Sequence, residues 1–184
     1  MAEPLPDIPT SLNEIADEFT PPEGYRVEII GGQLLVSPTP AGPHIKIASR
    51  LHSLFRGLLP AEFEVAQTAT LLIPQTGERY IPDLVVFPEA LLDEPIWRFP
   101  SYEALLTVEI TSPGNADTDR IKKPHGYAAG EVPAYLLVDL EDQRWVLYEQ
   151  PTGWNYGKRT TIVHGGELVL PAPFTHPLKT SEVY

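Results

Sequence analysis

ALLTVEITSPGNADTDRIKKPHGYAAGEVPAYLLVDL, residues 104–140, is the stretch that decides the fold. ALLTVEIT and AYLLVDL are apolar runs of strand length, rich in branched residues. Between them lie a polar stretch, SPGNADTDRIKK, and an alanine-bearing segment to Gly130 that should be helical for a few turns. The order is strand, helix, strand, which belongs to an α/β domain with a mixed sheet. Side chains alternate along a strand, so Leu105, Thr107 and Glu109 share one face and Leu106, Val108 and Ile110 the other. A carboxylate therefore closes an otherwise apolar strand.

The preceding run, RYIPDLVVF (79–87), has the same feature. Pro82 marks an irregularity, Asp83 follows, and Leu84 to Phe87 continue as a buried strand. An ionised carboxylate buried without a partner costs several kcal/mol, so each acid needs a cation, a hydrogen-bond network or a raised pKa. One divalent metal ion shared by Asp83 and Glu109 would satisfy both. The plain alternative is a pair of ordinary salt bridges, for which Arg79 and Arg98 are available. Hydrolytic chemistry at such a metal also needs a positive group where negative charge gathers in the transition state. Lys123, on the next helical segment, is the candidate, with Lys122 as its neighbour. An exposed lysine at a helix start is the plain reading of both.

Further out, RVEII and QLLVS flank Gly31-Gly32, a strong signal for an antiparallel hairpin. Pro43 suits the first turn of a helix in which Ile47, Leu51, Leu54, Phe55 and Leu58 recur at helical spacing. FEVAQ and ATLLIP add strands. RWVLYEQ, WNYGKRTTIV and ELVL read as antiparallel additions at the C-terminal side, and the closing LPAPFTHPLKTSEVY as irregular. Ser11 and Glu14 stand at capping-box spacing before a short helix to about Phe19. Residues 1–10, with three prolines, read as an irregular arm, which leaves 11–184 as one domain. Trp97, Trp145 and Trp154 read as packing anchors.

Composition narrows the chemistry. No run approaches the ~18 apolar residues of a membrane span, and MAEPLPDIPT is not a signal peptide, so a cytoplasmic setting is expected. Without cysteine, and with five histidines, any metal is held by carboxylates or imidazoles. Magnesium or manganese suits such donors. The formal charge of −12 opposes a nucleic-acid ligand. Residues 1–25 carry six acids and no base, however, which leaves 19 acids against 13 bases, or −6, for the rest.

PDLVVF, VEITSPGNADTDRIKKPHGY and AGEVPAYLLVDLEDQRWVLY together resemble the Uma-type putative restriction endonucleases, a bacterial branch of the PD-(D/E)xK nuclease superfamily. The resemblance runs from about Glu28 to Tyr148 and implies a restriction-endonuclease-like fold. It carries the catalytic set of that family onto Asp83, Glu109 and Lys123, with Asp83 and Glu109 as ligands of Mg2+ or Mn2+. It places Ser112, Asp119 and Tyr127 around them with His44 upstream, and it adds Glu28 to the catalytic residues, to orient water or complete a second metal site. It implies a metal-dependent endonuclease acting on nucleic acid, with DNA the expected substrate and a homodimer the common form among nucleases that cut both strands. The superfamily usually places its lysine two residues after the glutamate, where this chain has Thr111. Lys123 must then reach the site from the helix, although Pro124 and Gly126 interrupt the segment that carries it. The alternative is a nuclease-fold binding or interaction module without turnover. A metal hydrolase of small phosphoesters is a third reading.

Overall fold

Ser11 accepts a hydrogen bond from the Glu14 amide at 3.2 Å while the Glu14 carboxylate accepts from the Ser11 amide at 3.0 Å. This reciprocal cap starts helix α1 (Leu12–Glu18) and satisfies two of the donors that a helix start leaves open. The computed structural model describes residues 11–112, 114 and 116–183, so the arm expected at 1–10 lies outside the described residues. Strands β1 (Tyr25–Ile30) and β2 (Gln33–Pro38) form the expected hairpin. Its turn holds Gly31 at φ 60° and Gly32 at φ 68°, a backbone that glycine adopts without steric cost. Helix α2 (Gly42–Leu58) carries Pro43 in its first turn and buries Ile47, Ala48, Leu51 and Phe55 along one stripe.

Short strands follow: β3 (Phe63–Ala66), β4 (Thr70–Ile73), β5 (Glu78–Tyr80), β6 (Leu84–Pro88), β7 (Arg98–Pro100) and β8 (Leu106–Ile110). A π-helical turn at Thr118–Lys122 leads into α3 (Lys123–Ala129), and β9 (Ala134–Asp139), β10 (Arg144–Thr152) and β11 (Asn155–Val163) follow. The single mixed sheet expected from the sequence divides into two main sheets. One runs β11-β10-β9-β8-β6-β3 and the other β2-β1-β5-β4-β7. The strand-helix-strand unit is as expected, β8 pairing parallel to β9 across α3. The C-terminal tail is more regular than its prolines suggest, since β12 (Glu167–Leu168) pairs with β13 (Leu178–Lys179).

Period-two alternation assigns the two faces of the six-stranded sheet. Leu84, Val86, Leu106, Val108 and Ile110 pack with Leu51 and Phe55 of α2 in one core. Val85, Phe87, Tyr135 and Leu137 face the other way and pack with Ile30, Leu71, Ile73 and Tyr80 of the second sheet and Tyr127 of α3. The layer between the two sheets therefore receives every odd-numbered side chain of β6 and β8. Among the described residues no helix is long and apolar enough to cross a membrane.

Candidate active site

Asp83 stands one residue before Leu84 and Glu109 one residue after Val108, and Leu84 and Val108 are partners in the β6–β8 register. Both acids are odd-numbered, so they enter the inter-sheet layer side by side. Asp83 is 8% exposed and Glu109 1%. Asp83 Oδ2 accepts from the Ile110 amide at 2.8 Å and lies 3.0 Å from His44 Nε2, which is also 3.0 Å from the Ile110 carbonyl. Burial pushes the Asp83 carboxyl up, but the His44 contact and the Ile110 amide outweigh it and hold the group below the usual range. The same contact raises His44 despite its burial. His44 is thus a buried brace for Asp83.

Glu109 Oε1 accepts from Lys123 Nζ at 2.8 Å and from the Tyr127 hydroxyl at 2.6 Å. Burial pushes this carboxyl well above its ordinary range; Lys123 offsets part, while Asp119, Asp83 and Glu28 push it further up. Lys123 is 2% exposed and also lies 3.2 Å from Glu28 Oε1 and 3.4 Å from Asp119 Oδ1. Burial alone would lower the amine, but those three carboxylates outweigh it, so Lys123 stays charged. Glu28 reaches in from the other sheet and accepts from the Ile81 amide at 2.8 Å. Asp119 is pushed up to about 6, chiefly by burial, and its carbonyl accepts from the Tyr135 hydroxyl at 2.7 Å.

Local structure explains how the lysine arrives. The π turn at 118–122 adds slack in the chain and runs without a break into α3, so Pro124 follows it directly, where the regular i→i−4 pattern is already interrupted and the Asp119 carbonyl is taken by the Tyr135 hydroxyl. Gly126 allows α3 to lie directly on Tyr80, whose hydroxyl oxygen would stand 1.8 Å from a Cβ at that position. Thr111, where the nuclease pattern ordinarily has its lysine, instead accepts from the Leu140 amide at 2.9 Å and ties β8 to β9.

The structure thus brings Glu28, His44, Asp83, Glu109, Asp119, Lys123 and Tyr127 into one buried cluster. Ser112 is half-buried and makes no hydrogen bond to a described residue. Arg79 and Arg98, the sequence-level candidates for salt bridges to the two acids, turn instead to Asp17 at 2.8 and 3.3 Å. The cation that does approach was missed: Arg26 lies 3.7 Å from Asp83 Oδ1 and 3.7 Å from Glu28 Oε2. Its position two residues before Glu28 in the same strand was the available signal. Trp145 is a buried anchor, whereas Trp97 and Trp154 are both 57% exposed. Among the described residues no group of three or more histidine and acidic side chains is arranged to hold a metal ion.

Mixed sheets flanked by three helices, with a lysine and carboxylates buried between the sheets, define the class of protein. Its fold is similar to that of a putative nuclease belonging to DUF820 from Anabaena variabilis ATCC 29413, with a TM-score of 0.75 at 20% identity over 95% of this chain and 97% of that one. No curated protein matches the sequence. The Uma2 family, described as putative restriction endonuclease, matches residues 14–179, and the chain belongs to that family. Family and fold together point to a restriction-endonuclease-like nuclease.

Proposed function

We propose that the protein is a Mg2+- or Mn2+-dependent endonuclease that hydrolyses phosphodiester bonds of DNA, with Asp83 and Glu109 as metal ligands and Lys123 beside the attacking water. One observation carries this reading. The cluster buries four carboxylates, Glu28, Asp83, Glu109 and Asp119, against two permanent cations, Lys123 and Arg26. An uncompensated buried charge is expensive, and a dication at the two neighbouring acids would offset the excess.

The donor set suits such an ion. The contacts to Asp83 Oδ2 and Glu109 Oε1 leave Asp83 Oδ1 and Glu109 Oε2 without a hydrogen bond from a described residue. Two carboxylates with the remaining positions left to water and phosphate is a common arrangement for magnesium. When bound, the ion supplies activation of water and of the phosphate oxygen. The side chains of the protein do the rest. His44 fixes the orientation of Asp83, and Tyr127 that of Glu109. Lys123 keeps a positive charge where the transition state gathers negative charge. Glu28 and Asp119 hold the amine in place.

Cleavage of a DNA duplex in Mn2+ should vanish in Glu109→Gln while circular dichroism shows the fold intact, and cleavage that persists in that variant refutes the assignment. The rival, a nuclease-fold module without turnover, draws on the same lysine: its three carboxylate contacts complete a buried ion network without a metal. Calorimetric titration with Mn2+ separates the two, since the proposed enzyme binds the ion and loses it in Asp83→Asn.

A further inference from the structure

Beside the buried cluster a cleft of about 450 Å³ opens on Asp83 and His44, within the size range of small-ligand pockets. Its walls come from the start of α2, the strand bearing Arg26, and the turn between β3 and β4 at Gln67 and Thr68. Four features mark it as a built site. Arg26 is the one permanent cation among the described residues of the lining, and its guanidinium makes no hydrogen bond to a described residue. Both carboxylates near it stand at 3.7 Å, too far to use its donors but close enough to hold the fork in place. The Nε atom is buried without a hydrogen-bond partner among the described residues. Leaving a buried charged donor unsatisfied is costly, which is understandable where the donor waits for an anion.

The 17-residue helix α2, whose first turn lines the same cleft through His44 and Ile45, has no side-chain cap and no acidic residue in that turn. Its open N–H groups and dipole therefore favour negative charge on this side. Thr68 is held at φ 59°, a conformation rare for a β-branched residue and typical of constrained functional turns. Finally, Pro40, Ile45 and Ile81 give the cleft an apolar wall, and Ile45 is 53% exposed.

We propose that this cleft is a nucleotide subsite for the substrate strand. Arg26 grips the phosphate next to the scissile one, and the sugar and base of that nucleotide rest on Pro40, Ile45 and Ile81. The inference rests on the nuclease reading for its substrate class, and its test can fail separately. In metal-free buffer containing EDTA, where no turnover is needed, 15N-labelled protein is titrated with the dinucleotide TpT and, in parallel, with thymidine. TpT should shift the amides of Thr39, Ala41, Gly42, His44, Ile45, Gln67 and Thr68, and thymidine, which lacks the phosphate, should bind at least about tenfold more weakly, as expected for loss of a hydrogen bond to a charged group. Arg26→Gln should weaken TpT at least about tenfold and Arg26→Lys less, because lysine keeps the charge but not the fork.

Ile45→Glu changes the exposed wall without touching the buried cluster. It should weaken TpT by a similar factor and raise KM for duplex cleavage with kcat within about twofold, at an unchanged unfolding midpoint. Equal affinity for TpT and thymidine, or TpT affinity and KM unchanged in both Arg26→Gln and Ile45→Glu, overturns the subsite even if the enzyme cuts DNA. Arg26-dependent TpT binding in a protein that never cleaves supports the subsite and removes only the endonuclease reading.

Discussion

Gly126→Ala tests how the lysine is positioned. A Cβ there would stand 1.8 Å from the Tyr80 hydroxyl oxygen and 2.5 and 2.6 Å from two of its ring carbons, where carbon contacts normally settle near ~3.5–4.0 Å. Helix or ring must give by more than about 1 Å. The ring has little freedom. Tyr80 is 1% exposed, meets the edge of Tyr127 at 5.1 Å and donates to Glu78 at 2.6 Å. Overpacking typically costs about 1–3 kcal/mol, and breaking a hydrogen bond to a charged partner about 1.5–3 kcal/mol. The expected loss is therefore about 3–5 kcal/mol, read from the midpoint and slope of urea unfolding. On the proposed role of Lys123, which sits one turn earlier on the same helix, cleavage should fall by about 10²-fold, the usual cost of misplacing a catalytic group by about 1 Å. Tyr80→Phe should not rescue the alanine variant, since the ring carbons remain in the way. Tyr80→Ala should, giving a coupling energy above about 1 kcal/mol in a double-mutant cycle. A loss below about 1 kcal/mol for Gly126→Ala, or rescue by Tyr80→Phe, refutes the packing argument.

Lys123→Met should abolish cleavage and destabilise the apo protein by about 3–5 kcal/mol, because Glu28, Glu109 and Asp119 lose their shared cation; urea titration checks the second part, and a loss under about 1 kcal/mol would show the network to be neutral. Asp119 sets a pH dependence. Its folded pKa of about 6 lies above the ordinary 3.8, so its contribution to stability is complete below 3.8 and is lost as pH rises through 6. About two pKa units correspond to a fall on the order of 3 kcal/mol. In EDTA, wild-type stability should decline between about pH 4 and pH 6, and Asp119→Asn should flatten that decline; equal slopes in the two proteins would rule Asp119 out as its source.

Much of the fold could be read from the sequence because the signals were local. The Gly31-Gly32 turn, the Ser11–Glu14 cap and the stripe of α2 depend on neighbours within a few residues. The division into two sheets was not readable, since period-two alternation says which face a side chain takes and not which strand pairs with which. Only the tertiary pairing of Ile29 with Arg79 sends β1 into a second sheet. That pairing brings Glu28, and with it Arg26, over Asp83. Arg79 and Arg98 were equally good partners by charge, but their strands carry them to Asp17 on α1. Trp97 illustrates the same limit. Its aromaticity suggested a buried anchor, yet it lies exposed beneath the Arg98 guanidinium at 4.4 Å, where a cation–π contact holds it.

The displaced lysine shows why cluster and fold are inseparable here. Thr111 spends its side chain on the Leu140 amide, so the cation must come from α3. Reaching the layer from there involves the π turn, a proline directly after it and a glycine against Tyr80. Once there, Lys123 contacts acids from both sheets, Glu28 on β1 and Glu109 on β8, as well as Asp119 in the π turn. One ammonium thus joins three parts of the chain. Its loss should weaken the joint as well as the chemistry, so a dead Lys123 variant is informative only when its unfolding is measured beside its cleavage. Glu109→Gln is cleaner, because the amide oxygen still accepts from Lys123 and Tyr127 while the charge that the proposed metal would need is gone.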